Sequence, residues 1–126
     1  MNILVVDNEA DMKSLFEQRF RKEIRDGVIR FAFANSGEEA LTYLKTHNHE
    51  AVLILSDINM PGMSGLELLK HIKHTYATPP PVVMMVTAYG DDENYTNAMK
   101  LGADDFLTKP LDFTLLKDKL KVLTNG

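Results

Sequence analysis

The sequence predicts an α/β fold, a single doubly wound, five-stranded parallel sheet with helices on both faces. Three observations lead there. Short apolar runs alternate five times with segments whose apolar residues recur at spacings of three and four. The connections are short, and no linker, repeat or low-complexity stretch interrupts the chain, so one domain is expected over residues 1–126. Finally, Asp7, Asp57, Thr87 and Lys109 each follow a strand-like run, at the carboxyl edge where open parallel sheets place their ligands.

Ile3 to Val6 is a continuous apolar run, as expected of a strand covered on both faces. Met12, Leu15, Phe16, Phe20 and Ile24 then lie on one face of a first helix. Val28, Phe31 and Phe33 mark a second strand, and Arg30 within it points to the edge of the sheet. Ser36-Gly37-Glu38-Glu39 has capping-box spacing, and Ala40, Leu41 and Leu44 carry the second helix. Val52 to Leu55 is the third strand. Ser64-Gly65-Leu66-Glu67 repeats the capping box before a helix that uses Leu66, Leu69 and Ile72.

Pro79-Pro80-Pro81 separates that helix from a fourth strand over Val82 to Val86. Asp91 or Asp92 caps the next helix, and Gly102 ends it. Asp104 to Leu107 is a short fifth strand, and Asp112 caps a last helix with Leu115, Leu116, Leu120 and Leu123 inward. Right-handed crossovers make the sheet parallel, and an amphipathic second strand at the edge favours the order 2-1-3-4-5, the flavodoxin-like (βα)5 arrangement.

Composition narrows the function. Hydrophobic residues make up 44% and charged residues 25%, the balance of an ordinary globular domain. The chain has no Cys, which excludes disulfides, thiolate metal sites and cysteine nucleophiles. A net charge of −4 argues against a nucleic-acid surface. No signal peptide and no apolar run long enough to span a bilayer are present, so a cytoplasmic location without membrane contact is expected. His47, His49, His71 and His74 have no metal-ligand spacing, and the seven methionines read as core filling.

The chemistry concentrates on the strand ends. Ser56-Asp57-Ile58-Asn59-Met60-Pro61-Gly62 follows a buried-looking strand and turns sharply, a rigid mount that a surface carboxylate does not need. Alone, Asp7 could be a helix cap, Thr87 an ordinary strand-end threonine and Lys109 a solvated lysine. Their joint placement on one edge makes a set suited to phosphoryl chemistry. Clustered acids bind a hard divalent cation such as Mg²⁺. Asp57 can serve as a carboxylate nucleophile, and Thr87 and Lys109 can bond phosphoryl oxygens.

In Ile3-Leu4-Val5-Val6-Asp7, the Asp57 to Gly62 run with Gly65, Val86-Thr87-Ala88 and Phe106-Leu107-Thr108-Lys109-Pro110, the chain resembles the receiver domains of two-component response regulators. The resemblance implies that Asp57 accepts a phosphoryl group from the phosphohistidine of a sensor histidine kinase or histidine phosphotransfer protein. It also implies that Asp7, Asp57 and the Asn59 backbone carbonyl hold Mg²⁺. Thr87 and Lys109 would sense the phosphate, and Phe106 would be the aromatic that swings inward. Asn59 and Tyr89 would flank the attacking water, and the bond before Pro110 would be cis. Catalysis would be self-directed, phosphorylation of Asp57 and its hydrolysis, with output through a downstream protein or a homodimer.

One departure stands out. The family usually carries two adjacent acids after the first strand, and here the second position is Asn8. An amide oxygen still coordinates Mg²⁺ but brings no charge. A lost unit charge about 4 Å away is worth on the order of 4 kcal/mol at an effective dielectric of 20, before screening. Weaker Mg²⁺ binding is therefore expected, with Glu9 a poorly placed substitute; a cap of the first helix is the plainer role for Asn8. Asn8 also favours the alternative function, a receiver-like module that binds proteins without being phosphorylated.

Overall fold

The computed structural model describes residues 1–47, 53–75, 81–88 and 91–125. Val52, His49, Pro79, Pro80 and Tyr89, which figure in the sequence reading, lie outside the described residues. The elements run β1 (Asn2–Val6), α1 (Met12–Arg19), α2 (Arg21–Arg25), β2 (Arg30–Ala34), α3 (Gly37–His47), β3 (Leu53–Asp57), α4 (Gly65–Thr75), β4 (Val82–Ala88), α5 (Asp92–Lys100), β5 (Asp105–Lys109) and α6 (Phe113–Asn125). The sheet is five-stranded, every pair is parallel, and the order is β2-β1-β3-β4-β5 as expected.

Strand alternation divides the apolar side chains into two cores. Leu4, Val6, Ile54, Val83 and Met85 face α3, α4 and α5, where they meet Leu44, Leu68, Leu69 and Ile72. Ile3, Val5, Leu53, Leu55, Met84, Val86 and Leu107 face α1 and α6 and pack on Phe16, Phe20, Leu116 and Leu120. Phe16 anchors the second core through edge contacts with Phe31 and Phe113, at centroid separations of 5.4 and 5.2 Å.

The helix ends are set by the residues that the sequence singled out. Ser36 Oγ accepts the Glu39 amide at 3.1 Å while the Glu39 carboxylate reaches back to the Asn35 amide at 2.7 Å, one residue beyond the usual capping-box partner. Ser64 Oγ accepts the Glu67 amide, Asp91 accepts the Asn94 amide, and Asp112 accepts those of Thr114 and Leu115. Gly102 takes a φ of 96°, and the Gly102 and Ala103 amides close on Met99 and Ala98, a Schellman ending that a side chain would strain.

Several expected boundaries move. The first helix breaks at Phe20, whose φ of −109° and ψ of 22° leave helical geometry, so Ile24 on α2 no longer points at the core and is exposed. Val28 is exposed as well, because β2 begins at Arg30 and Ile29 supplies the buried contact instead. On α4 the stripe shifts to Leu68, Leu69 and Ile72, with Leu66 only partly covered. Leu115 is exposed and Leu116 and Leu120, four residues apart, are buried, while the side chain of Leu123 lies outside the described residues. Strands β4 and β5 run on to Ala88 and Lys109, which carries Thr87 and Lys109 to the sheet edge within regular structure.

Candidate functional site at the carboxyl edge of the sheet

The parallel register brings the ends of β1, β3, β4 and β5 side by side. Asp57 pairs with Val86, and Thr87 and Ala88 pair with Thr108 and Lys109. Asp7 follows β1, its amide bonded to the Ala34 carbonyl at 3.0 Å, and its Oδ1 accepts the Glu9 amide at 2.9 Å. Asp7, Asp57 and Thr87 are all buried, with Thr87 fully so. Buried carboxylates require partners, and here they share one.

That partner is Lys109. Its Nζ donates to Asp57 Oδ2 at 2.8 Å and to Glu9 Oε1 at 3.0 Å, and it stands 3.4 Å from Asp7 Oδ2. Burial works to lower the pKa of this ammonium, but hydrogen bonds to Asp57 and Glu9 and the attraction of Asp57 and Asp7 outweigh it, so the value is raised. Asp7 shifts the other way from most paired acids. Burial raises its pKa, and the negative charges of Asp57 and Glu9 reinforce burial, against the Glu9 amide and Lys109.

The β3–α4 loop fixes Asp57. The Ile58 amide bonds the Val86 carbonyl at 2.9 Å, continuing the ladder one residue past the strand, and the Gly65 amide returns to the Ile58 carbonyl at 2.8 Å. Gly65 is required by space: a Cβ there would overlap the Asp57 carbonyl oxygen and lie 2.7 Å from Ile58 Cα. Asn59 joins two site residues, its amide N–H to Asp57 Oδ1 at 3.3 Å and its side-chain Nδ2 to Thr87 Oγ1 at 3.4 Å. The Lys109–Pro110 bond is cis.

Asp7, Asp57, Lys109 and, through Asn59, Thr87 thus come together as the sequence led us to expect. Phe106 stands apart on β5, half-buried, with its ring edge-on to Tyr95 at 5.0 Å. Two expectations change. Glu9 is not poorly placed, because Asp7, Glu9 and Asp57 offer carboxylate oxygens that all lie within 4.8 Å of one another. The signal for it was the i, i+2 spacing of two acids after a strand end. Asn8 is exposed and does not cap the first helix, whose N-cap position is Asp11. Three hard oxygen donors converging on a small volume fit Mg²⁺ by charge and donor type.

A doubly wound parallel sheet with an acid triad and a lysine at its carboxyl edge defines a class of domain whose buried carboxylates converge where a divalent cation can sit. The chain belongs to the response regulator receiver domain family, whose model matches residues 3–121. It is 41% identical over 112 residues to the DNA-binding transcriptional regulator NtrC of Proteus hauseri, covering 88% of this chain and 22% of that protein. It is 32% identical over 127 residues to a chemotaxis protein CheY homolog of Campylobacter jejuni, covering 100% of this chain and 95% of that one. The chain therefore spans about a fifth of the first relative and nearly all of the second. Among solved structures, response regulator TrrA of Thermotoga maritima, in complex with Mg²⁺ and BeF, superposes with a TM-score of 0.75 at 31% identity over 97% of both chains. Among the described residues, no helix is long and apolar enough to cross a membrane.

Proposed function

We propose that residues 1–126 act as one receiver domain, a signalling switch set by phosphorylation of Asp57. The observation that carries this reading is the contact of Lys109 Nζ with Asp57 Oδ2 at 2.8 Å inside the triad of Asp7, Glu9 and Asp57. A carboxylate oxygen of Asp57 attacks the phosphorus of a phosphohistidine on a sensor kinase or phosphotransfer protein. The P–N bond breaks, the imidazole leaves with the bond electrons and takes up a proton, and an acyl phosphate forms. Asp7, Glu9 and Asp57, with the Asn59 carbonyl and Asn8 as further oxygen donors, would hold Mg²⁺. Bound Mg²⁺ neutralises phosphoryl oxygens that the acids would otherwise repel.

Lys109 follows the charge from the carboxylate to the phosphoryl oxygens, and Thr87 donates its hydroxyl to another of them. Asn59, already bonded to both Asp57 and Thr87, couples the two. Movement of Thr87 towards the phosphate frees space beside Phe106, which biases the surface of α5, β5 and α6 presented to a downstream protein or a second copy. The similarity of the chain to TrrA, solved with Mg²⁺ and BeF, supports the same assignment. The non-phosphorylated alternative rests on Asn8, and Glu9 weakens it by restoring a third carboxylate to the cluster.

Incubation with acetyl phosphate and MgCl₂, followed by intact-mass measurement, tests the reading. The mass should rise by one phosphoryl group, and the rise should vanish in Asp57→Asn and in EDTA. An unchanged mass with every donor tried would support the protein-binding module instead.

A further inference from the structure

The opposite edge of the sheet carries a second feature that phosphoryl chemistry does not use. A cleft of about 710 Å³ opens there between the end of α1, α2, the chain leading into β2, and α6. Its floor is apolar: Phe20, Ile29 and Leu120 are buried, while Val28 is 53% exposed. Val28 extends that apolar floor out to the rim of the cleft. Around the cleft stand six Lys or Arg and two acids, in a chain whose totals are 14 Lys and Arg against 18 Asp and Glu. The rim of this cleft is thus locally basic, six cations against two acids, on a chain whose net charge is −4.

Internal pairing consumes part of that charge. Lys117 binds Glu23 at 3.1 Å and lies 5.2 Å from the centre of the Phe20 ring, and Arg25 pairs with Asp26. Arg21 and Lys22, both exposed at the start of α2, form no salt bridge among the described residues, although Lys22 lies close enough to Glu23 to help lower its pKa.

We propose that this cleft docks an acidic amphipathic segment of a partner protein, apolar side chains on the Phe20–Val28–Ile29–Leu120 floor and carboxylates against Arg21 and Lys22. A nucleic-acid backbone has no use for the apolar floor, and a flat membrane surface does not fill a concave one. Charge complementarity decides for the acidic segment, and helix-in-groove docking supplies the geometry. The site is independent of phosphorylation, since Asp57 lies at the other edge of the sheet.

The probe is a fluorescein-labelled peptide with Leu at i, i+3, i+4 and i+7 and Glu elsewhere, read by anisotropy on the full chain. A peptide with Gln for Glu and vesicles of phosphatidylglycerol serve as comparisons. Saturable binding of the Glu peptide is expected, about tenfold weaker for the Gln peptide and for Arg21→Glu/Lys22→Glu, with the loss growing at low salt. Val28→Asp should also lose binding, and Asp57→Asn should keep it. Far-UV melting verifies that each variant folds, and amide shifts on wild type should fall at Val28 and Ile29 and spare Asn59 and Gly65. Equal binding of both peptides, no saturable binding, shifts centred on Asn59, or capture by vesicles alone would overturn the proposal.

Discussion

Replacing Lys109 by Met keeps the length and most of the apolar stem of the side chain and removes the ammonium that three acids share. Asp7, Glu9 and Asp57 then stand with carboxylate oxygens within 4.8 Å of one another and no cation between them. At that separation two unit charges repel by about 3.5 kcal/mol at an effective dielectric of 20. Glu9 is 59% exposed and escapes into water, so the buried pair Asp7 and Asp57 bears the penalty. Breaking a buried ion pair by removing one partner costs about 3–5 kcal/mol, which sets the same scale. A loss of about 3 kcal/mol is expected at pH 7 without metal.

The pH window follows from the raised pKa of the ammonium. Its contribution is fully present below the ordinary lysine value of about 10.4 and is lost only as pH rises through the higher folded value. The deficit of the variant should therefore hold across neutral pH and shrink in acid, where Asp7, its pKa raised by burial, takes up a proton. Mg²⁺ should close it too, because the variant has no ammonium competing for the same oxygens. A hundredfold excess over Kd adds about 2.7 kcal/mol of stability. With no Trp in the chain, the assay is urea unfolding followed by far-UV circular dichroism, in EDTA and in saturating MgCl₂. A deficit below about 1 kcal/mol in EDTA would refute the shared-cation reasoning. So would an identical deficit in both buffers.

Other substitutions probe the same edge. Asp7→Asn should stabilise the metal-free protein at pH 7 and weaken Mg²⁺ binding, since burial raises the Asp7 pKa and the ionised form is costly in the folded state. Wild type should recover that cost as pH falls through the folded Asp7 value, and thermal melts across pH would show the variant lacking this gain. Asn8→Asp should tighten Mg²⁺ binding in calorimetric titration and lower metal-free stability, whereas an unchanged affinity would exclude position 8 as a ligand. Gly65→Ala forces a Cβ onto the Asp57 carbonyl oxygen, and overpacking of about 1–3 kcal/mol should lower Tm by roughly 4–12 °C. A melting point unchanged in Gly65→Ala would show that the loop yields where the backbone contact says it cannot.

The topology was legible because its signals are periodic. Alternate strand residues assign themselves to opposite faces, which is why Ile3 and Val5 meet α1 while Leu4 and Val6 meet α3 and α4. The site was legible because Asp57, Thr87 and Lys109 each follow an apolar run, even though β4 and β5 extend through Thr87 and Lys109. The break at Phe20 was not, because Ile24 keeps the helical spacing and only tertiary packing decides that the helix turns before it. From sequence alone Glu9 reads as poorly placed for a related reason. Its reach depends on the turn after β1 and on the position of Lys109, 100 residues away, which one-dimensional spacing does not report.

Both edges of the sheet obey one electrostatic logic. At the carboxyl edge, three acids are held closer together than water would leave them, and a single ammonium compensates. That arrangement leaves the site short of positive charge and suited by donor type to a divalent cation, at the expense of stability when none is bound. Gly65 and the Ile58–Val86 bond prevent the strain from being relieved by movement of the backbone. On the proposed reading, charge arriving on Asp57 would be met by Lys109, already bonded to it, and by Asn59, which joins Asp57 to Thr87.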